Sequence, residues 1–303
     1  MRPFELTVLG CSSATPTSSR HPTAQILNHC ERYFLIDCGE AAQIQLRRFG
    51  FKMQRIDHIF ISHLHGDHYL GIPGLLGTMH LLGRDKELHI YSPPGLEEII
   101  RVSHHYSKTF LRYPIIYHTL EEGAVWIFED EKISVETISM NHRVPCYGFL
   151  FREKAMLRNM IKEKIEEFAI PVQDIHRIKE GSDLVTSSGK IIPNAELSTD
   201  PPAPRSYAFC SDTLYDETYI TQIKNANLLY HEATFAADME HRAKETFHCT
   251  AKEAAAIALK ANAKRLIIGL YSARYRDLSP LLAEAKEVFR NTVLAKEGQK
   301  YDV

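Results

Sequence analysis

The chain has 303 residues, of which 44% are hydrophobic, so it can bury a sizeable core in one large domain. Its net charge of −2 excludes a globally basic nucleic-acid-binding protein, and any contact with RNA must come from local basic patches. No run approaches the roughly 18 apolar residues that a membrane span needs, and the six cysteines form no Cys-x-x-Cys pair, so we predict a cytoplasmic protein with no membrane partner.

Apolar and β-branched runs predict strands over 4–9, 24–27, 32–36, 56–62, 87–91 and 132–140. Helical patterns predict helices over 40–48, 69–82, 95–107, 250–261 and 279–291. Two of the strands stop at Gly10 and Asp37, which favours loops gathered at one edge of a sheet. Strands and helices of this length predict a layered α/β sandwich, with one domain over residues 1–303.

Residues 152–198 depart from this compact pattern. They combine a charged, helix-like stretch, interrupted by Pro171, with a hairpin pattern around Ser188 and Gly189. One interpretation is an ordinary solvated helix followed by a surface hairpin. The other is an arm inserted into the domain, and the sequence pattern alone leaves both open.

A group of potential metal ligands follows the strand predicted at 56–62. His63 and His65 project to the same side of an extended segment, and Asp67 and His68 follow Gly66, which allows a tight turn. Imidazole and carboxylate ligands suit zinc or a similar first-row ion better than calcium or magnesium. A His-rich surface turn is the alternative, but the preceding buried-strand pattern favours a metal site.

The His-x-His-x-Asp-His signature resembles that of the metallo-β-lactamase fold, whose members cleave several kinds of bond. Further segments resemble its ribonuclease Z branch, the tRNA 3′-processing endonucleases. These segments are 9–16, 34–40, 68–76, 231–235, 248–251 and 272–275. The resemblance runs from residue 6 to about residue 278, and it implies a four-layer αβ/βα sandwich with a protruding arm at 152–198.

The resemblance also implies two zinc ions. The ligands that it implies are His63, His65 and His142 for one zinc, Asp67 and His68 for the other, and Asp212 shared by both. From the residues alone, His142 could be a structural histidine after a strand, and Asp212 could cap a turn. Their order along the chain and their matching context favour the ligand interpretation.

One position departs from the ribonuclease Z pattern. The last ligand of the family is a histidine five residues before the Tyr of a Ser-x-Arg-Tyr element, and this chain carries Leu270 there. Leucine cannot bind a metal ion. We therefore expect the second zinc to be held more weakly or to be only partly present, and the alternative is compensation by a neighbour such as His248 or by water.

The implied reaction is hydrolysis of a phosphodiester by water whose pKa the zinc pair lowers to roughly 7. Asp67 would orient or deprotonate that water, and His248 would be the general acid, with Glu232 holding its other ring nitrogen. The alternative for His248 is a cap on the helix that starts near Thr250. The implied products are tRNA with a 3′-hydroxyl and a trailer with a 5′-phosphate.

Substrate contacts are expected at two places. Arg274 would bind a substrate phosphate, although a structural ion pair is an alternative. Arg152, Lys154 and Arg158 of the arm would contact phosphates of precursor tRNA. The Gly-Pro element of many family arms is absent, and Ile170 precedes Pro171 instead. The resemblance also implies a homodimer.

Two other functions remain compatible with the sequence. One is another metallo-β-lactamase-fold phosphodiesterase or ester hydrolase, which would act on a small substrate without using the arm. The other is a metal-depleted, weakly active RNA-binding relative, which Leu270 and the missing Gly-Pro element favour. We predict the zinc-dependent endoribonuclease because Asp67, His142, Asp212 and His248 are all present.

Overall fold

The computed structural model describes residues 2–123 and 125–303, which form two compact units. The larger unit comprises Met1–Phe128, Val135–Phe151 and Ser206–Val303, and the smaller comprises Glu129–Ser134 and Arg152–Arg205. Among the described residues, no helix is both long enough and apolar enough to cross a bilayer.

The strands are β1 (Phe4–Gly10), β2 (Ala24–His29), β3 (Arg32–Cys38), β4 (Ile56–Phe60), β5 (Leu88–Ser92), β6 (Ile115–Thr119), β7 (Trp126–Glu129), β8 (Ile133–Ser139), β9 (Tyr147–Glu153), β10 (Asn159–Met160), β11 (Leu184–Val185), β12 (Ile191–Ile192), β13 (Ser198–Thr199), β14 (Ser206–Cys210), β15 (Leu228–Glu232), β16 (Leu266–Gly269), β17 (Thr292–Leu294) and β18 (Lys300–Asp302). The helices are α1 (Ala42–Arg48), α2 (Gly66–Tyr69), α3 (Ile72–Leu81), α4 (Leu96–Ser107), α5 (Lys162–Glu167), α6 (Val172–Lys179), α7 (Asn194–Leu197), α8 (Glu240–Thr246), α9 (Ala251–Lys260) and α10 (Ser279–Val288).

Two seven-stranded sheets make up the centre of the fold. The first has the order β18-β1-β2-β3-β4-β5-β6 and is parallel from β3 to β6. The second has the order β17-β16-β15-β14-β9-β8-β7 and is parallel from β14 to β17. Parallel strands end at the same edge of a sheet, so the segments that follow β3, β4, β14, β15 and β16 gather the functional side chains.

The sheets pack against each other through aromatic side chains. Phe60 of β4 lies 5.4 Å from Phe149 of β9, and Phe34 of β3 lies 5.9 Å from Phe151, between ring centroids. Each buried phenylalanine contributes roughly 1.5–3 kcal/mol of burial free energy. Helices α1, α3 and α4 cover the other face of the first sheet, and α9 and α10 pack on the second, which completes the predicted four layers.

The smaller unit has its own apolar core of Ile170, Ile178, Leu184, Ile192 and Leu197. Its strands form two antiparallel pairs, β10 with β13 and β11 with β12. The second pair is the hairpin predicted around residues 188 and 189. The charged stretch forms two short helices, α5 and α6, rather than one.

The helix predicted over 69–82 is wrong at its start, because the chain forms two helices, α2 and α3, broken at Leu70 and Gly71. The Gly71 N–H donates to the carbonyl oxygen of Cys38 at 2.8 Å. A Cβ at position 71 would lie 2.2 Å from the carbonyl oxygen of Gly39. This close approach fixes α2, and with it the ligand loop, against the end of β3.

Candidate metal centre and active site

Four predicted ligands lie together, in segments that follow strands of both sheets. Side-chain atoms of His63, His65, His142 and Asp212 all lie within 4.8 Å of one another. His65 Nδ1 is 3.0 Å from His63 Nε2 and 3.3 Å from His142 Nε2. Nitrogen ligands around a tetrahedral zinc are about 3.3 Å apart, so these nitrogens have the spacing of a metal site.

The surroundings of these histidines leave ring nitrogens with lone pairs for a metal. His142 Nδ1 donates to the carbonyl oxygen of Phe247 at 3.0 Å, which leaves its Nε2 unprotonated. Burial lowers the pKa of His142 to about 4. Burial and the neighbouring imidazoles hold the pKa of His63 well below its ordinary value. Both rings are therefore neutral at pH 7 and able to coordinate.

The other predicted ligands form a second set on the far side of Asp212. His68 Nε2 lies 3.4 Å from Asp67 Oδ2 and 3.4 Å from Asp212 Oδ1. His68 Nε2 and Asp212 Oδ1 are buried and have no hydrogen-bond partner. Such orphaned atoms are rare in folded proteins, and a cation between them would satisfy both.

Asp37, within the 34–40 segment, orients His68, and no pattern in the sequence predicts this role. The carboxylate is fully buried at the end of β3, where it accepts from His68 Nδ1 at 2.7 Å. It also accepts from the backbone N–H of Ser62 at 2.8 Å and from its hydroxyl at 3.0 Å. A carboxylate behind a ligating histidine is the usual arrangement at metal sites, and it directs Nε2 toward the centre.

The charges around His68 favour a cation. Burial alone would lower the pKa of His68, but the carboxylates of Asp212, Asp67 and Asp37 raise it well above its ordinary value. The residues present therefore fit a metal pair in three respects: the donor types, the spacing and the unsatisfied buried atoms. The donors are unequal in number, because four groups form the first set and three, including the shared Asp212, form the second.

Leu270 follows β16 at the same sheet edge. Its backbone has a φ of +58°, and its carbonyl oxygen accepts from the hydroxyl of Thr234 at 3.0 Å. The next residue, Tyr271, accepts from the N–H of Ser13, and the adjacent Ala14 N–H donates to Asp67 Oδ2 at 2.8 Å. Hydrogen bonds thus tie Leu270 to Thr234, two residues after Glu232, and tie the next residue, Tyr271, to the segment that holds Asp67.

His248 and Glu232 form a buried pair beside the donors. His248 Nδ1 lies 2.9 Å from Glu232 Oε1 and 3.9 Å from Asp212 Oδ2. Burial alone would lower the pKa of His248, but the charge and hydrogen bond of Glu232 raise it to about 9. The carboxylate of Glu232 is itself fixed by the N–H groups of Thr213 and Thr234. The second nitrogen of a charged imidazole remains available to a substrate.

Arg274 does not form the structural ion pair that was the alternative to a phosphate contact, as far as the described residues show. Its side chain is exposed, Nε donates to the hydroxyl of Ser272 at 3.1 Å, and the guanidinium lies 5.1 Å from the ring centroid of Phe235. Within residues 2–123 and 125–303, no carboxylate forms an ion pair with it. The guanidinium is therefore open to an anionic ligand.

The predicted arm cations all have partners within the protein. Lys154 Nζ forms an ion pair with Glu129 at 2.6 Å. Arg158 pairs with Asp200, and its Nε donates to the Ser198 hydroxyl at 2.7 Å. Arg152 is half-buried and also has a partner. All three residues belong to the smaller unit.

The four layers and the His/Asp donors at the sheet edge define a protein of the metallo-β-lactamase fold. Human tRNase Z, short form, superimposes with a TM-score of 0.73 and 27% identity, and each chain is covered to 99%. A metallo-β-lactamase fold protein from Bacillus subtilis gives a TM-score of 0.71 at 19% identity, with full coverage of both chains, which shows the fold alone. A family model described as anti-Pycsar protein Apyc1 matches residues 4–169.

Relatives that match nearly the whole chain identify the family within this fold. Proteins named ribonuclease Z are 48% identical in Bacteroides fragilis and 50% identical in Bacteroides thetaiotaomicron, over 98% of this chain and 98% and 95% of theirs. The Porphyromonas gingivalis protein of the same name is 43% identical, with both chains fully covered. The chain belongs to the ribonuclease Z family.

Proposed function

We propose that this protein is a metal-dependent endoribonuclease that cleaves the 3′ trailer from precursor tRNA. The observation that carries the proposal is the 43–50% identity, over nearly the whole chain, to proteins named ribonuclease Z. The human neighbour, at 27% identity, is named tRNase Z. The adjacent His/Asp donors and the His248–Glu232 pair supply groups that phosphodiester hydrolysis requires.

Zinc is the metal that we propose for the centre, because imidazole nitrogens predominate among the donors. His63, His65, His142 and Asp212 would hold one ion, and Asp67, His68 and Asp212 would hold the other. Bound zinc lowers the pKa of water and stabilises negative charge on phosphoryl oxygens. With Leu270 following β16, the second ion would have one protein ligand fewer than the first.

The roles of the protein groups follow from their positions. Asp67, whose Oδ2 is held by the N–H of Ala14, orients the attacking water. The departing ribose oxygen needs a proton, and His248 donates it, since Glu232 stabilises the imidazolium form. Arg274 binds a phosphate of the substrate. Arg152, Lys154 and Arg158 add positive charge to a proposed tRNA-binding arm at 152–198.

We also propose that the protein forms a homodimer and acts in the cytoplasm. The six cysteines are all free, as expected in a reducing compartment. Apolar side chains at the end of α3 and in the segment after α4 are highly exposed, among them Leu81 and Phe110. Such a patch on a globular protein favours a protein partner.

The test is cleavage of a 3′-extended precursor tRNA beside hydrolysis of bis(p-nitrophenyl) phosphate, by protein of measured zinc content. We expect a single cut after the discriminator nucleotide and a loss of 10²–10⁴-fold in His248→Ala. His241→Ala is the matched control, because the His241 side chain is 88% exposed on α8. Hydrolysis of the small ester without any cleavage of tRNA would contradict the proposal.

A further inference from the structure

A second concave site lies outside the metal centre. It is a cavity of about 590 Å³ formed by the segment before β2 and the segment after β16. Its lining consists of Thr17, Ser18, Ser19, Arg20, Ala273, Tyr275 and Arg276. None of these residues belongs to the metal donors or to the proposed acid pair, and none is acidic.

Arg20 is the central residue of this cavity. It is only 9% exposed, and its Nη2 donates to the carbonyl oxygens of Tyr275 at 2.8 Å and Ser272 at 3.4 Å. Its Nε is buried without a hydrogen-bond partner. In the part of the chain that the structure describes, no carboxylate pairs with Arg20. A buried guanidinium held only by neutral carbonyls has no compensating anion and has an unused donor.

The remaining lining groups complement this charge. Thr17 Oγ1 accepts from the N–H of Arg20 at 2.9 Å and from the N–H of Ser19 at 3.3 Å, which fixes the turn that carries the hydroxyls. Arg276 is exposed, and it has no ion-pair partner among residues 2–123 and 125–303. Its acidic neighbour Asp277 accepts from the N–H of Ser279 at the start of α10. The cavity thus presents two guanidinium groups and several hydroxyls.

We propose that this cavity binds a phosphate group. Guanidinium forks match the oxygens of phosphate, and serine and threonine hydroxyls are common phosphate donors. The proposal rests on the proposed function, in which the phosphate is an internucleotide group of the RNA substrate away from the cleaved bond. The segment before β2 also reaches the metal centre, because Ala14 N–H donates to Asp67 Oδ2. One RNA strand can therefore reach both sites.

The test measures binding by metal-free protein, so that cleavage plays no part. Arg276→Gln is compared with Arg290→Gln, a matched change at an exposed arginine beyond α10. Fluorescence anisotropy gives the affinity for a 3′-extended precursor tRNA over a range of KCl concentrations. We expect Arg276→Gln to weaken binding roughly three- to tenfold and to reduce the slope of log affinity against log salt by about one, while Arg290→Gln changes neither.

A second experiment distinguishes the source of the phosphate. Inorganic phosphate is titrated into the same proteins and followed by ³¹P line broadening. If Arg276→Gln loses binding only of inorganic phosphate, the RNA assignment is overturned and free phosphate is the ligand. Arg20→Lys is tested in the same two experiments, once thermal unfolding shows that it is folded. If neither variant changes the binding of tRNA or of inorganic phosphate, the proposed site is overturned. Failure of the wild-type protein to cut tRNA would instead contradict the proposed function.

Discussion

At the scale of single residues, the most informative atoms are those left without partners. His68 has one nitrogen bonded to Asp37, and its other nitrogen faces Asp212 Oδ1 across 3.4 Å. Neither of the facing atoms has a hydrogen bond. A folded protein accepts two orphaned buried groups at a cost of about 1–3 kcal/mol each, and a bound cation removes that cost.

Asp37→Asn tests how far this orientation supports metal binding. Asn tolerates the left-handed backbone of residue 37, whose φ is +54°, so the fold should persist. The amide cannot accept all three hydrogen bonds of the carboxylate. We expect zinc affinity, measured by competition with a chromophoric chelator, to fall about 10- to 100-fold. Asp85→Asn, at an exposed position, is the control, and equal affinities in both variants would contradict the role of Asp37.

Leu270→His tests the inequality of the two metal positions. Histidine is found more often than leucine with positive φ, so the change suits the backbone at +58°. We expect close to one tightly held zinc per chain in the protein as it stands and close to two in the variant, measured by elemental analysis after dialysis. Leu259→His, on the exposed face of α9, should leave the zinc content unchanged. Two tightly held zincs in the unaltered chain would show that another group compensates for Leu270.

At the level of secondary-structure elements, the N-terminus of α9 shows whether His248 caps this helix or is free to act as the general acid. The helix has its own N-cap, since Thr250 and Glu253 form a complete capping box. The alternative in which His248 caps this helix is therefore wrong. His248 Nδ1 instead donates to the carboxylate of Glu232 at 2.9 Å.

Thr250→Ala should destabilise the protein by about 1–2 kcal/mol, because the N–H of Glu253 loses its acceptor and the capping box is broken. Urea unfolding followed by circular dichroism gives this difference. The control is Thr246→Ala, whose hydroxyl lies on the exposed end of α8. A loss no larger than that of the control would show that the cap adds little to stability.

The sequence predicted some strands well and missed others, and the difference has a physical reason. Strands β1 to β5 and β8 were predicted to within about two residues at most ends, because strong β-branched runs end at turn residues there. The buried parallel strands β14, β15 and β16 were not predicted. They are only four or five residues long, and they lack the alternation that separates a strand from a helix.

At the scale of the whole molecule, the site combines residues from both sheets. The loop after β4 could be recognised as metal-binding from its own spacing. His142, Asp212 and His248 could be placed beside it only through the family resemblance, because no local pattern encodes contacts between residues 63 and 212 or 142 and 248. The role of Asp37 is seen only in the folded protein, since its carboxylate acts through His68.

Removal of most of the predicted arm separates the endoribonuclease from a small-ester hydrolase. Asn159 and Thr199 are paired in the β10–β13 ladder, so two glycines can replace residues 160–198. We expect cleavage of precursor tRNA to fall at least tenfold through KM, while hydrolysis of bis(p-nitrophenyl) phosphate persists. An equal loss on both substrates would indicate damage to the larger unit, and no loss on tRNA would contradict the proposed role of the arm.

The exposed apolar residues predict association of two chains. Leu81 and Phe110 are 84% and 82% exposed, and their segments are joined by a hydrogen bond from the Arg112 N–H to His80 Nδ1 at 3.1 Å. Light scattering should give a mass near twice the chain mass of 34.6 kDa. The double change Leu81→Glu and Phe110→Glu should give the monomer, because it places four charges in the interface of the pair. Val172→Glu, at an apolar residue that is 85% exposed in the smaller unit, should remain dimeric. A monomeric unaltered protein at micromolar concentration would refute the dimer.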